Sequence, residues 1–203
     1  MKLVAYATAD NKGFYHHKLG LLEEACYNYG ISFYGQYLGE FGGAIRAMLH
    51  KPTFIHHCLR KFDGEPVLYL DADSTVCGPI AIPDDAEWDI GMIRNYTVNP
   101  ERVHSLCASA IHIKSTPMAL HFLRVWTYLC DAQWLSDWCD HRRMYATLKL
   151  MKHSPAFGNI FKHLYGAVKV NEHRNNKMMD LTSGLSEEFY KMLSTCNIMH
   201  FKG

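Results

Sequence analysis

Residues 2–8 form a short apolar, β-prone run that closes on Ala9-Asp10-Asn11-Lys12-Gly13, a turn cluster. A helix is expected over residues 14–29, with Leu21, Ala25 and Tyr29 on one stripe and Gly30 stopping it. Residues 31–34 read as a second strand. Residues 35–51 are glycine-rich and mixed, the pattern of a long functional loop with some helix in it. Pro52 suits the first turn of a helix whose Ile55, Cys58, Leu59 and Phe62 repeat at helical spacing, and Asp63-Gly64-Glu65-Pro66 breaks it. The run Val67-Leu68-Tyr69-Leu70 has the pattern of a buried strand and leads directly into Asp71-Ala72-Asp73. Further strands are expected over 88–93, 108–113, 167–170 and 197–201. Helices are expected from Thr116-Pro117 to Asp131 and over 136–151. This alternation predicts an α/β fold, one mixed and mostly parallel sheet flanked by helices. No internal repeat, low-complexity tract or linker divides the chain, so a single domain over residues 1–203 is expected.

Charge narrows the partners. The chain has 21 basic and 20 acidic residues, a net charge of +1, so it lacks the basic excess of a protein that coats a polyanion. Any acidic ligand must be met by a local cluster. The seven cysteines (26, 58, 77, 107, 130, 139 and 196) are odd in number, scattered and without a CxxC pair. That spacing fits neither a disulfide framework nor a zinc ribbon and reads as buried thiols in a reducing compartment. The start, MKLVAYATAD, lacks the longer apolar core of a signal peptide, and no stretch approaches the roughly 18 apolar residues of a membrane span. A cytoplasmic location without a membrane span is expected. The thirteen histidines include the adjacent pairs His16-His17 and His56-His57, whose members diverge by about 100° on a helix and do not share a site. Cys139-x-His141 lacks a matching partner pair for zinc. Trp126, Trp134 and Trp138 read as core and as an acceptor wall.

The chemistry concentrates at Asp71 and Asp73. In a strand, residues two apart point the same way, and two neighbouring carboxylates repel unless a cation or proton lies between them. At the end of an apolar strand they make a hard oxygen site for a divalent ion, where open α/β sheets bind ligands. Asp71, Asp73, Thr75 and Val76 match the Asp-x-Asp-x-Thr-Val string of the haloacid-dehalogenase-like phosphatases, in which Asp71 would be the nucleophile. That class carries the string near its N-terminus and a further acidic pair downstream. Here seventy residues precede it, Asp84-Asp85 follows too soon, and Glu172, Asp180, Glu187 and Glu188 form no strand-end pair.

A broader set of features resembles the GT-A nucleotide-diphospho-sugar glycosyltransferases related to glycogenin and glycosyltransferase family 8. They are Ala7-Thr8-Ala9-Asp10 after the first strand, Lys51-Pro52-Thr53-Phe54-Ile55 on the helix before the acidic strand, and Leu70-Asp71-Ala72-Asp73. Asp140-His141 resembles the family's Asp-Gln, and His200-Phe201-Lys202-Gly203 its closing His-Phe-x-Gly. The resemblance implies a single GT-A, Rossmann-like domain in which Asp71, Asp73 and His200 hold a divalent ion. An imidazole beside two carboxylates favours Mn2+, with Mg2+ the alternative. The resemblance further implies that Thr8, Ala9 and Asp10 face the nucleotide, with Tyr15 as a stacking ring and Asp73 on the ribose. Asp140, or its neighbour Asp137, would orient the donor sugar or approach the acceptor. Lys202, Arg46 and Lys51 are the candidate cations for the diphosphate. The family's lysine beyond the final glycine has no counterpart, because the sequence stops at Gly203. The implied donor is a nucleotide sugar, with UDP-sugar expected. The acceptor (glycan, protein, small molecule or modified DNA base), the stereochemistry and the oligomeric state are left open. Arg142, Arg143, Lys149 and Lys152 form a candidate patch for DNA phosphate. The rival readings are the Asp71 phosphohydrolase and a non-catalytic sugar-nucleotide-binding protein.

Overall fold

The structure is a computed structural model that describes residues 1–10, 13–80, 89–94, 106–132, 139–152 and 198–200. In chain order its elements are β1 (Lys2–Thr8), α1 (Phe14–Asn28), β2 (Phe33–Leu38), α2 (Ala44–Leu49), α3 (Lys51–Lys61) and β3 (Val67–Leu70). They continue with β4 (Ser74–Val76), β5 (Ile90–Arg94), β6 (Leu106–Ile113), α4 (Pro117–Asp131), α5 (Asp140–Lys152) and β7 (Ile198–His200). Five strands form one sheet in the order β2-β1-β3-β6-β5. β1 pairs in parallel with β2 and β3, whereas β6 runs antiparallel to both β3 and β5. Four of the five strands therefore point the same way and β6 alone is reversed. This is the mixed, mostly parallel sheet that the pattern predicts. β4 and β7 form a separate antiparallel pair.

Helices cover both faces, which is why β1 and β3 read as almost unbroken apolar runs. Alternate side chains divide between two cores. Leu3, Ala5, Ala7, Leu68 and Leu70 pack against Leu19, Leu22 and Cys26 of α1. On the other face Val4, Tyr6, Val67 and Tyr69 meet Phe54, Ile55 and Leu59 of α3, Phe122 and Trp126 of α4, and Met144 and Leu148 of α5. Cys26, Cys58 and Cys130 are buried free thiols, and burial pushes each up to about 12, so they stay protonated and pack as apolar groups. Among the described residues, no helix is long and apolar enough to cross a membrane.

Several details differ from the sequence reading. The buried stripe of α1 is Leu19, Leu22 and Cys26, while Leu21 and Tyr29 face solvent. The second strand begins later and runs through Gly35 to Leu38, pairing from Leu3↔Phe33 to Thr8↔Leu38. Gly35 belongs to the strand, where it pairs with Ala5, and the Phe33 ring folds over it: a Cβ there would lie 2.8 Å from that ring. β4 has no counterpart among the expected strands. The last expected strand is represented by β7, and the expected strand at 167–170 lies outside the described residues, as do Trp134 and Trp138.

Arg143 does not belong to the candidate phosphate patch. Its side chain is buried, and Nη1 donates to the carbonyls of Leu129 (2.6 Å) and Cys130 (2.5 Å), closing the carboxyl end of α4. Arg142 and Lys149 are exposed. At the other end of α4, Thr116 Oγ1 accepts the Ala119 N–H at 3.2 Å with Pro117 following it, the start that the sequence announces. Thr116→Ala should cost about 1 kcal/mol by removing this cap, a fall in Tm of roughly 2–4 °C. Thermal unfolding followed by circular dichroism measures it, and an unchanged Tm would mean that the cap contributes nothing.

Candidate active site

β3 delivers the acidic pair. All four of its residues are buried, and the chain emerges at Asp71, whose N–H still donates to the Ser109 carbonyl (2.9 Å). The Ser74 N–H then donates to the Asp71 carbonyl (3.0 Å), closing a tight turn from Asp71 to Ser74. Asp71 and Asp73 are thus turn residues, not successive positions on one strand face, yet both line the same cavity. Its volume is about 320 Å³, and it lies beyond the carboxyl ends of β1 and β3. Thr8 and Tyr15 line it from β1 and α1, and Ala44, Ala47 and Met48 wall it from α2.

Lys51 forms the floor. The sequence marks it as a phosphate cation, but its side chain is only 2% exposed. Nζ lies 2.8 Å from Asp71 Oδ1 and 2.6 Å from Asp140 Oδ2, and it donates to the Ala108 carbonyl at 3.0 Å. The ammonium donates to the Asp140 carboxylate and the Ala108 carbonyl and pairs in charge with Asp71, so it is turned toward the interior. Lys51 therefore positions carboxylates and is not presented to a diphosphate. The Tyr69 hydroxyl donates to the same oxygen, Asp71 Oδ1, at 2.8 Å. Burial alone would push the Lys51 ammonium down, but Asp140 and Asp71 outweigh it and hold it above its ordinary range. Burial likewise favours a neutral Asp140, but Lys51 and then His141 hold that carboxyl well below the usual carboxylate range. Both members are charged. The buried phenols of Tyr6 and Tyr69 are raised far above their ordinary value, chiefly by desolvation, and stay protonated donors. The Tyr6 hydroxyl donates to the Ala47 carbonyl at 2.7 Å, fastening α2 to the sheet.

Asp140 opens α5, as the sequence proposes, with its carboxylate fully buried against Lys51. Its Oδ1 accepts the backbone N–H of His141 and lies 2.8 Å from that residue's Nδ1. Cys139, Asp140 and His141 bring three ligand atoms within 4.8 Å of one another. Both Asp140 oxygens are already engaged, one by Lys51 and the other by His141, so we assign no metal to this cluster. His141 lines the cavity together with Tyr6 and Tyr69, and none of the three is a site residue in the sequence reading. The available signal for His141 is its adjacency to Asp140.

Asp10 has a different station from the one expected. Its carboxylate accepts the N–H groups of Phe41 (3.0 Å) and Gly43 (2.9 Å), and those bonds, Phe41 first, lower its pKa. Gly42 (φ 80°) and Gly43 (φ 129°) take backbone conformations that other residues resist. Asp10 thus ties down the loop that starts α2, and neither it nor Ala9 lines the cavity. The Ala9 N–H bonds to the Leu38 carbonyl (3.1 Å). Arg46 lines a neighbouring cavity of about 740 Å³ with Asp131, and Ala44 belongs to both cavities. Tyr15 faces the acidic pair, and burial, then Asp73 and Asp71, raise its phenol. His200 is placed by the register of β7, directly opposite Ser74 and one step from Asp73. Lys202 and Asp137 lie outside the described residues.

Removing Lys51 would leave two carboxylates without their buried cation. Lys51→Met should cost about 3–5 kcal/mol in urea unfolding, and adding Asp140→Asn should recover part of that loss. Asp140 also sets an acid limit. Its folded value lies below the ordinary 3.8, so its contribution is complete above that pH and is lost as pH falls through the folded value. Urea midpoints measured from about pH 6 down to about pH 3 should fall at the acid end in the wild type and less steeply in Lys51→Met. Equal slopes would detach Asp140 from Lys51.

No protein-family model matches the chain, and no curated protein sequence matches it. Among solved structures, it is similar to the crystal structure of a glycosyltransferase involved in the glycosylation of the major capsid of PBCV-1. The superposition has a TM-score of 0.59 at 14% identity and covers 100% of this chain and 96% of that one. At that identity the likeness is one of fold: the chain shares the α/β architecture of that structure.

Proposed function

We propose that the chain is a metal-dependent glycosyltransferase that moves a sugar from a nucleoside diphosphate donor, with a UDP-sugar expected, to an acceptor hydroxyl. The observation that carries this reading is the meeting of Asp71 and Asp73 in one cavity at the carboxyl end of the sheet. The donor set fits a divalent ion. Two carboxylates face one space, β7 brings His200 opposite Ser74, and Ser74 Oγ is buried with no hydrogen-bond partner among the described residues. Asp71, Asp73 and His200 would hold Mn2+, or Mg2+ in its place. When bound, the ion supplies electrostatic stabilisation of the charge that grows on the departing diphosphate.

The chain's own residues supply the rest. Thr8 and Tyr15 line the cavity beside β1 and would receive base and ribose, with Asp73 on the ribose. Lys51 and Tyr69 hold Asp71 in place from behind, through Oδ1. Of the three candidate cations, Arg46 and Lys202 remain for the diphosphate once Lys51 is turned inside. Asp140, buried, acts by orienting its neighbours. The similar glycosyltransferase takes part in glycosylating a major capsid, which favours a glycan or protein acceptor. The inward turn of Arg143 weakens the case for a DNA base. A cytoplasmic enzyme confined to one domain remains the expectation.

Thermal shift with UDP, GDP, CDP or phosphate, each with Mn2+, Mg2+ or EDTA, tests this. One nucleoside diphosphate at 100 times its Kd should stabilise by about 2.7 kcal/mol, raising Tm by roughly 5–10 °C, and EDTA should abolish the rise. Asp73→Asn should lose the response while keeping its own Tm near that of the wild type. Stabilisation by phosphate with Mg2+, and none by nucleotides, would point instead to the Asp71 phosphohydrolase. Metal-dependent donor binding with neither hydrolysis nor transfer would leave a sugar-nucleotide-binding protein.

A further inference from the structure

We propose that His141 is the general base of this transfer, with Nε2 taking the acceptor's hydroxyl proton while Asp140 holds the ring at Nδ1. The inference rests on the donor-site reading above. It starts from a row of three groups, Lys51 Nζ, the Asp140 carboxylate and the His141 imidazole, joined at 2.6 Å and 2.8 Å. Each oxygen of Asp140 serves a different neighbour: Oδ2 takes the ammonium, and Oδ1 takes the histidine. An ionised carboxylate accepts and cannot donate, so the proton of the Asp140–His141 bond belongs to Nδ1. In the neutral ring that leaves the lone pair on Nε2, the tautomer a base requires. Lys51 keeps Asp140 ionised, and so fixes the tautomer from one residue further back.

Burial grades along the row in the order such a relay needs. The side chains of Lys51 and Asp140 are 2% and 1% exposed, whereas that of His141 is 29% exposed and lines the cavity that holds Asp71 and Asp73. The imidazole thus stands at the boundary between the sealed charges and the space where a donor would sit. Its backbone N–H bonds to the same Oδ1, so ring and main chain are fixed to one atom. An orienting acid behind an imidazole that faces a reaction space is the arrangement by which proteins raise the basicity of histidine and aim it. In the step, the acceptor O–H bond breaks and its proton passes to Nε2. The acceptor oxygen bonds to the anomeric carbon, and the bond from that carbon to the diphosphate oxygen breaks, its electron pair leaving on the diphosphate. The imidazolium then returns its proton to solvent. Water can take the place of the acceptor, which gives a measurable reaction without a known acceptor.

Two measurements on the full chain decide the matter. Long-range 1H–15N correlation of histidine-labelled protein, recorded where the imidazoles are neutral and assigned with His141→Gln, should show His141 protonated on Nδ1. Protonation on Nε2 would overturn the inference whether or not any donor is found. The second is Mn2+-dependent UDP release from UDP-glucose and UDP-galactose. His141→Gln should lower the rate by about 10²–10⁴-fold while UDP binding by calorimetry stays within about twofold of wild type. Added imidazole should restore part of the rate to His141→Ala. Wild-type rates in His141→Gln, or a wild type that binds UDP but never releases it from a donor, would exclude the base. Failure of the wild type to bind UDP with Mn2+ would sink the donor reading itself, and with it the role of His141 in transfer.

Discussion

An ammonium withdrawn from water is tolerated only where anions accompany it, and the neighbourhood of Lys51 is organised around that requirement. The group draws in Asp71 from the turn after β3, Asp140 from the head of α5 and the Ala108 carbonyl from β6. Four segments far apart in sequence are joined at one nitrogen. The balance has a functional side. One oxygen of Asp71 is committed to the interior, where Lys51 and Tyr69 both reach it, and the carboxylate keeps 22% of its side-chain surface open. The charge that the cavity presents is therefore a remainder, set by what the interior has already neutralised.

The elements that short-range chemistry announces are legible in the sequence. Thr116-Pro117 starts α4, Pro52 lies in the first turn of α3, Gly30 follows α1, and the apolar run before Asp71 is a buried strand. What escapes the sequence depends on contacts between distant positions. Gly35 looks like a loop residue until its pairing with Ala5, thirty positions earlier, is seen. β4 is three residues long and is a strand only because β7 pairs with it. Lys51 resembles a solvent cation because two of its acceptors lie 57 and 89 positions away. Arg143 misleads in the same way, since the carbonyls that claim it belong to another helix.

The candidate site divides along the same line. Asp71, Asp73, Thr8, Tyr15 and Asp140 are visible as residue types in a suggestive order, and the fold gathers them round one cavity. Their division of labour is not visible. Asp10 looks like a nucleotide ligand but is a clamp on the loop before α2, and Lys51 looks like a phosphate ligand but is a keystone. In both cases the sequence identifies a charge near the site, and only the packing decides whether that charge faces inward or outward. A fold shared at 14% identity leaves such assignments to each chain's own side chains.

The separate pairing of β4 with β7 has a consequence for how the protein is made. During synthesis the principal sheet has all five of its strands once β6 is complete, whereas the partner of β4 is translated only after a long further stretch of chain. Until then the hydrogen-bonding edge of residues 74–76 is open, immediately after the turn that carries both aspartates. A nascent chain can thus hold a packed core and an unfinished acidic turn at once.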